Sequence, residues 1–243
     1  MMPSIRSLSL RQSQPLVAAR PGPEGVGADT GTDARAPWKR WLGWAAALLV
    51  LTTLAACSLS RPAPVKRMFL LEAAPPPSAG ATRTTSIRIG VIAVAAPFRG
   101  KTLAYRRDDV TFESDFYSEF FASPAAMVAG ETAKALNAAK VFGRVVGAGT
   151  VPDDADYVLD GFVSEMYGDL REAGKPAAVL TATFYLSAGN VTPARVLWSR
   201  EYRQRVVAAD SSPEALARAW NAALTAMLAE LARDLAAEKL PPP

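Results

Sequence analysis

The chain has 243 residues, of which 50% are hydrophobic, with 27 Lys and Arg, 23 Asp and Glu, one cysteine and no histidine. This composition suffices for one well-buried domain and excludes a wholly disordered chain. The absence of histidine excludes Ser/His and Cys/His nucleophilic sites and removes the commonest metal ligand. The single cysteine excludes an internal disulfide scaffold and Cys-based zinc sites.

Residues 1–37 are rich in Gly, Pro, Ala and Arg and have no apolar periodicity. We interpret them as disordered or as a mis-annotated extension upstream of the real start. The stretch is long for the n-region of a signal peptide. We therefore hypothesise that translation starts downstream, at a codon read here as Val17 or Val26.

Residues 38–56 have the pattern of a lipoprotein signal peptide. Lys39 and Arg40 precede an uncharged apolar run over 41–56, which is shorter than the roughly 20 residues that span a bilayer. The run ends in Leu54-Ala55-Ala56-Cys57, a lipobox. Cys57 should therefore carry a covalent diacylglycerol and an N-acyl lipid, and residues 57–66 form a tether. A short membrane anchor with an incidental cysteine is the alternative.

Cleavage before Cys57 would change the charge of the protein. Six basic and three acidic residues precede Cys57, which leaves 21 and 20, a net charge of +1. A nearly neutral mature chain gives no electrostatic support for nucleic-acid binding. We therefore expect no nucleic-acid partner.

The pattern of residues 67–239 predicts one mixed α/β domain, and a Pro-rich tail follows it at 240–243. Short apolar runs predict strands at 68–71 and 87–94, separated by a connector at 74–86. Residues 105–112 predict an exposed hairpin or loop, and residues 144–146 a brief strand. Three longer strands are predicted at 156–167, 178–188 and 195–207, with turns at 168–176 and 189–193, and they should form an antiparallel meander.

Two Ser-Pro pairs predict the start of helices, since Ser caps a helix and Pro suits its first position. Ser123-Pro124 opens a helix that should end near Lys140. Ser212-Pro213 opens a longer helix whose apolar stripe runs from Leu216 to Leu235, and we expect this stripe to pack on the sheet of the same chain. The predicted fold class is α/β: a mostly antiparallel mixed sheet packed against two long helices in a single domain.

Motifs for catalysis or metal binding are weak. Gly100-Lys101-Thr102 lacks the first glycine of a phosphate-binding loop, and the Asp cluster at 153, 154 and 156 lacks the rest of a calcium loop. Asp108 and Asp109 point opposite ways in an extended chain. Three arginines, Arg200, Arg203 and Arg205, could contact anionic lipid or an acidic partner, but a solvated edge is the simpler interpretation. We predict no catalytic, cofactor or metal site.

The order of these features resembles the ABC-type transport auxiliary lipoproteins, the PqiC-like family that accompanies MCE-domain lipid transporters. The resemblance rests on the lipobox, the strands at 68–71 and 87–97, and three segments that follow them. These segments are Leu103-Ala104-Tyr105-Arg106-Arg107, Phe112-Glu113-Ser114-Asp115-Phe116-Tyr117-Ser118-Glu119-Phe120 and Ser123-Pro124-Ala125-Ala126-Met127. Five residues match positions that the family implies as a partner or assembly surface: Tyr105, Arg106, Tyr117, Phe120 and Pro124. Packing of a long loop onto the first helix is their alternative role.

The resemblance implies a non-enzymatic protein. Its partners would be the MCE-domain protein, the permease and the ATPase of a system that moves phospholipids or other hydrophobic compounds across the cell envelope. A second copy of the chain is a further candidate partner. The protein would face the periplasm, and because Ser58 is not an aspartate, outer-membrane placement is expected. Two alternatives stay open, a lipoprotein assisting assembly of an outer-membrane export machine and a periplasmic enzyme.

Overall fold

Eight strands and two helices succeed one another in the part of the chain that the structure, a computed structural model, describes: residue 44 and residues 65–80, 83–147, 155–189 and 195–241. In chain order they are β1 (Arg67–Phe69), β2 (Arg83–Val94), β3 (Thr102–Arg106), β4 (Phe112–Phe120), α1 (Pro124–Ala139), β5 (Phe142–Val146), β6 (Tyr157–Asp169), β7 (Ala177–Ala188), β8 (Val196–Val207) and α2 (Pro213–Ala237). A single 3₁₀ turn, Ala96–Phe98, follows β2.

The strands of the described residues form one mixed sheet in which β6 is central. Its whole length pairs antiparallel with β7, and β7 pairs antiparallel with β8, which is the predicted meander. The other edge of β6 is shared, since its first half pairs parallel with β2 and its end pairs parallel with β3. Beyond β2 lies β5, and beyond β3 lie β4 and then β1. The longest pairings are antiparallel, so the predicted fold class is confirmed.

Both helices begin where the Ser-Pro pairs predicted. The N–H of Ala126 donates to Ser123 Oγ at 3.3 Å, and that of Ala215 donates to Ser212 Oγ at 3.2 Å. Each serine therefore satisfies an N–H that has no partner inside its helix. Lys140 ends α1 in the left-handed conformation, with φ of 55°.

The core lies between one face of the sheet and the two helices. Seven large side chains of α2 are fully buried there: Leu216, Trp220, Leu224, Met227, Leu228, Leu231 and Leu235. They face the buried apolar row of β7, which is Leu180, Ala182, Phe184 and Leu186. The stripe of α2 therefore packs on the sheet of its own chain, as predicted. No helix of the described residues covers the other face, which we call the open face.

Several predicted boundaries were wrong, among them the start of the brief strand predicted at 144–146, because β5 begins at Phe142. The connector predicted at 74–86 is shorter, because β2 already begins at Arg83, which pairs with Phe142. The first strand lies one residue earlier than predicted and ends at Phe69. The turn predicted from Gly168 begins later, because Gly168 and Asp169 still pair with β3 and β7. The strand β4 follows the predicted hairpin and was not itself predicted.

The described core begins at Leu71 and ends at Leu235, and residues 63–243 form one compact unit. This unit therefore contains its own core. The predicted signal peptide, apart from Trp44, lies outside the described residues, as do the extension at 1–37, Cys57 and most of the tether. Among the described residues, no helix combines the length and the apolar character needed to cross a bilayer.

Candidate functional site at the edge of the sheet

The hairpin of β3 and β4 contains a wide bulge. Thr102 pairs with Glu119 and Ala104 pairs with Ser114, so the residues between them on β4, 115–118, lie opposite Leu103 alone. Surplus residues in one strand cannot stay in the ladder, and they bend away from the sheet. The bulge therefore places Phe116 and Tyr117 outside the regular surface. Their rings pack edge to face with centroids 5.1 Å apart.

The side chain of Asp115 holds this bulge in shape. Its Oδ1 accepts hydrogen bonds from the N–H of Tyr117 at 2.8 Å and of Ser118 at 3.0 Å, and its Oδ2 accepts one from the Tyr105 hydroxyl at 2.8 Å. Burial, followed by the hydrogen bond to Asp115, raises the pKa of Tyr105 far above its ordinary value. Burial also opposes ionisation of Asp115, but the donated hydrogen bonds outweigh it and lower the pKa of Asp115.

Replacing Asp115 by Ala should lower the free energy of unfolding by about 1–3 kcal/mol at neutral pH, because it leaves the N–H of buried Ser118 without its acceptor. The folded-state pKa of Asp115 lies below its ordinary value of 3.8. The carboxylate therefore stabilises the fold above that value and loses this contribution as the pH falls through its folded-state pKa.

Urea unfolding followed by circular dichroism, repeated from neutral to acidic pH, measures this effect. The deficit of Asp115→Ala should be largest at neutral pH and shrink in acid. Glu113→Ala is the control, because Glu113 pairs with Arg107 at the exposed surface, where ion pairs contribute little. A deficit that is independent of pH, or equal to that of the control, would contradict the role of Asp115.

Five large apolar side chains at this edge are exposed, and we call them the edge patch: Met68, Leu70, Phe116, Tyr117 and Phe121. Their exposed fractions lie between 44% and 79%. The register of β1 and β4 explains their grouping, since Met68 pairs with Glu119 and the N–H of Phe121 donates to the carbonyl of Phe69. Alternation along both strands places Tyr117 and Phe121 on the same face as Met68 and Leu70. The patch therefore lies on the open face.

Residues on the other side of the same two strands point into the core. Phe120 is 3% exposed and packs on Trp220, with ring centroids 5.6 Å apart. Ser118 is fully buried. Neighbouring aromatic residues at the end of β4, Phe120 and Phe121, thus have opposite environments.

Hydrogen bonds to both helices fix the chain just after β1. The N–H of Ala73 donates to Glu131 of α1, at 3.0 Å, while those of Glu72 and Ala74 donate to Asn221 and Thr225 of α2. The edge patch therefore sits on a part of the sheet that is tied to the helical layer. These hydrogen bonds fix the position of the edge patch relative to α1 and α2.

Two lysines flank the edge patch. Lys66 forms an ion pair with Glu119 at 2.7 Å, and Lys101 Nζ donates to the carbonyl of Phe121 at 3.1 Å. The patch is thus an apolar surface with cations at its rim.

A second aromatic group closes the other end of the hairpin. Phe98 and Phe112 pack on Tyr167 with ring centroids 5.9 and 5.4 Å away, and the Arg106 guanidinium lies over the Phe112 ring at 5.6 Å. Arg106 also donates to the carbonyls of Asp108 and Asp109. Its guanidinium therefore helps to close the hairpin loop of its own chain.

The five residues suggested by the family resemblance do not lie together on one surface. Tyr105, Phe120 and Pro124 are buried, Arg106 is half-buried over the aromatic group, and Tyr117 belongs to the edge patch. Sequence reasoning missed the other members of the patch. The spacing of Tyr117, Glu119 and Phe121 on alternate positions was the available signal, but the aromatic residues Phe116 and Phe120 at intervening positions obscure it.

The open face also carries a group of exposed apolar side chains, which we call the open-face trio: Val91, Phe162 and Tyr185. They are exposed and belong to the adjacent strands β2, β6 and β7. Beside them, Thr181 donates to Glu165 Oε2 at 2.6 Å, and Arg203 lies 3.7 Å from the same oxygen.

Arg203 and Arg205 share the open face, as predicted, and Arg200 lies on the helix side, where it pairs with Asp234 at 2.7 Å. Arg205 lies 3.7 Å from Asp169. Hydrogen bonds from Arg171 are the main reason that the pKa of Asp169 is lowered. These arginines therefore compensate carboxylates of their own chain.

Two aspartates considered in the sequence analysis as possible chemical groups, Asp108 and Asp156, instead accept hydrogen bonds that stabilise the fold. Asp108 accepts hydrogen bonds from the N–H groups of Val110 and Thr111 inside the hairpin loop. Asp156 accepts hydrogen bonds from the N–H and hydroxyl of Ser86, whereas Asp153 and Asp154 lie outside the described residues. The described residues contain no group of three side chains suited to hold a metal ion.

No protein-family model and no curated protein matches the chain. Among solved structures, it is similar to protein XCC0632 of Xanthomonas campestris, of family DUF330, with 17% sequence identity over 68% of this chain and 91% of that one, at a TM-score of 0.59. A crystallised uncharacterized protein is 14% identical over 70% of this chain and 99% of that one, at a TM-score of 0.56. At such identities the likeness concerns the fold alone: the chain has the α/β fold of a DUF330 protein.

Proposed function

We propose that the protein is a lipid-anchored, periplasm-facing auxiliary lipoprotein of an MCE-type ABC transport system that moves phospholipids or other hydrophobic compounds. Acyl lipids on Cys57 hold it at the outer membrane. It docks to the MCE-domain component, which works with a permease and an ATPase. The fold shared with a DUF330 protein supports the PqiC-like assignment. The sequence features from the lipobox to Met127 are the remaining support for the proposal.

The observation that carries a docking role is the open face. Val91, Phe162 and Tyr185 form an exposed apolar centre. Asp160 pairs in register with Tyr185, and the pair of Glu165 with Arg203 lies three residues beyond Phe162 along β6. An apolar centre inside a polar rim is the usual anatomy of a protein interface. We assign the MCE component to this face.

A binding role rather than a catalytic one agrees with the chemistry of the described residues. The most buried carboxylates, those of Glu131 and Asp169, accept hydrogen bonds from groups that fix the fold. One cleft is lined mainly by proline and alanine of the connector and α2. A second cleft includes Arg107, Glu172 and Asp210, and Glu172 is paired with Lys175 at the exposed surface. General acid–base chemistry needs titratable groups that converge on one point, and we therefore propose no reaction.

Photo-crosslinking in cells tests the assignment of the open face. A crosslinking amino acid replaces Tyr185 in one variant, and in the control it replaces Ala222, an exposed residue of α2 on the helix side. Crosslinked products are purified from detergent-solubilised membranes and identified by mass spectrometry. We expect an MCE-domain protein from position 185 and not from position 222.

Two results would contradict this proposal. Capture of an outer-membrane export component from position 185 would favour the export-machine alternative. Equal capture from both positions, or none from either, would remove the open face as the docking surface.

A further inference from the structure

The edge patch lies where the chain enters the domain. Val65, near the end of the tether, is 81% exposed and precedes β1, which carries Met68, by only two residues. The patch is therefore the apolar surface nearest in sequence to the predicted anchor.

The length of the tether limits how far this edge can stand from the membrane. Eight residues lead from Cys57 to Val65, and an extended chain spans at most about 3.6 Å per residue, or roughly 29 Å in all. A tether this short keeps the edge patch at a high effective concentration at the lipid surface. A weak affinity of the patch for lipid would then be enough to orient the domain.

The shape and composition of the patch suit the lipid–water interface. Phe116 is 79% exposed in the bulge, so its ring is free to enter an apolar phase. Aromatic rings such as that of Tyr117 favour the headgroup level. The ammonium group of Lys101, which donates to the carbonyl of Phe121, can reach anionic headgroups, whereas the charge of Lys66 is compensated by Glu119.

We propose that the edge patch docks onto the membrane beside the lipid anchor. Phe116 and Phe121 enter the boundary between headgroups and acyl chains, and Tyr117 lies at the headgroup level. The β1–β4 end of the open face then meets the bilayer. The open-face trio lies beyond β3 on the same face, on β2, β6 and β7, and stays accessible to a periplasmic partner. This inference rests on the proposed lipidation of Cys57 but not on the identity of the transport partner.

Depth-dependent fluorescence quenching tests the inference. The chain from Ser58 onward contains the whole described core and no cysteine, so an introduced cysteine can be labelled uniquely. A hexahistidine segment before Ser58 and a nickel-chelating lipid replace the natural anchor on vesicles of phosphatidylethanolamine and phosphatidylglycerol. The label is placed at Phe121→Cys or, as the control, at Phe162→Cys in the open-face trio, and nitroxide-bearing lipids serve as quenchers.

We expect strong quenching at position 121 and little at position 162. Without the nickel-chelating lipid, replacing Phe116 and Phe121 by Ser should reduce partitioning into the same vesicles by about tenfold or more. Val207→Ser, which also removes an exposed apolar side chain, at the end of β8, should leave the partitioning unchanged.

Equal quenching at both positions, or none at position 121, would overturn the inference. Shielding of position 121 in solution that grows with protein concentration would assign the patch to a second copy of the chain instead. Because the hexahistidine segment supplies the tether, these results do not depend on whether Cys57 is acylated in cells. An intact-mass measurement of the native protein answers that question separately.

Discussion

Replacing Trp220 by Ala is expected to lower the free energy of unfolding by about 3–5 kcal/mol, a large loss for a single substitution. Trp220 is fully buried between α2 and the sheet and packs on Phe120. Its indole N–H also donates to the carbonyl of Val179 at 3.2 Å. Truncation would therefore leave a cavity and remove the indole hydrogen bond to this carbonyl. Chemical denaturation followed by far-ultraviolet circular dichroism measures the loss.

Trp220→Phe is the matched control, because it keeps most of the apolar volume and loses the indole donor. We expect a smaller loss, roughly 1–3 kcal/mol, from the lost hydrogen bond together with a small cavity. A loss of less than about 1 kcal/mol in the free energy of unfolding of Trp220→Ala would contradict the packing of α2 on the sheet through this residue.

The second large effect concerns Cys57. The Cys57→Ala variant should accumulate as an uncleaved precursor without acyl lipid, because the thiol is the site of diacylglycerol attachment and the lipoprotein peptidase acts on the modified residue. Each buried methylene contributes about 0.8 kcal/mol, so two or three acyl chains anchor a protein firmly. Labelling with a palmitate analogue and intact-mass analysis measure the change. The control is Ser58→Ala, which should be cleaved and acylated like the native protein.

Incorporation of the lipid analogue into Cys57→Ala, or a native protein without acyl mass, would contradict the predicted lipobox. The same variant also tests the translation start, because the precursor keeps its first residues. N-terminal sequencing should find a start at Val17 or Val26, and a precursor beginning at Met1 would refute that hypothesis. Fractionation of inner and outer membranes tests the expected outer-membrane placement.

Much of the secondary structure was predictable because its signals are local. A capping serine followed by proline determines where α1 and α2 begin, and the spacing of Leu216, Trp220 and Leu224 identifies the buried face of α2. The alternation of β7 likewise separates its buried row from Thr183 and Tyr185. These features depend on neighbours within a few residues along the chain.

The candidate site was only partly predictable, because it depends on contacts between distant segments. Pairing with β5 starts β2 at Arg83, and pairing with β1 decides which residues of β4 are exposed. In the sequence, Phe116, Tyr117, Phe120 and Phe121 are equivalent aromatic residues. The predicted surface included Phe120, which is buried, and omitted Phe116 and Phe121, which are exposed.

The sequence by itself determined the class of the fold, the start of both helices, the end of the first helix, the meander of β6 to β8 and the expectation of a lipid anchor at Cys57. Only the tertiary structure decided which aromatic side chains face the solvent. The physical reason is that both faces of β4 carry aromatic residues, so hydrophobicity alone cannot orient the strand. The bulge at Asp115 shifts the alternation, and the packing of Phe120 on Trp220 then selects the side that is buried.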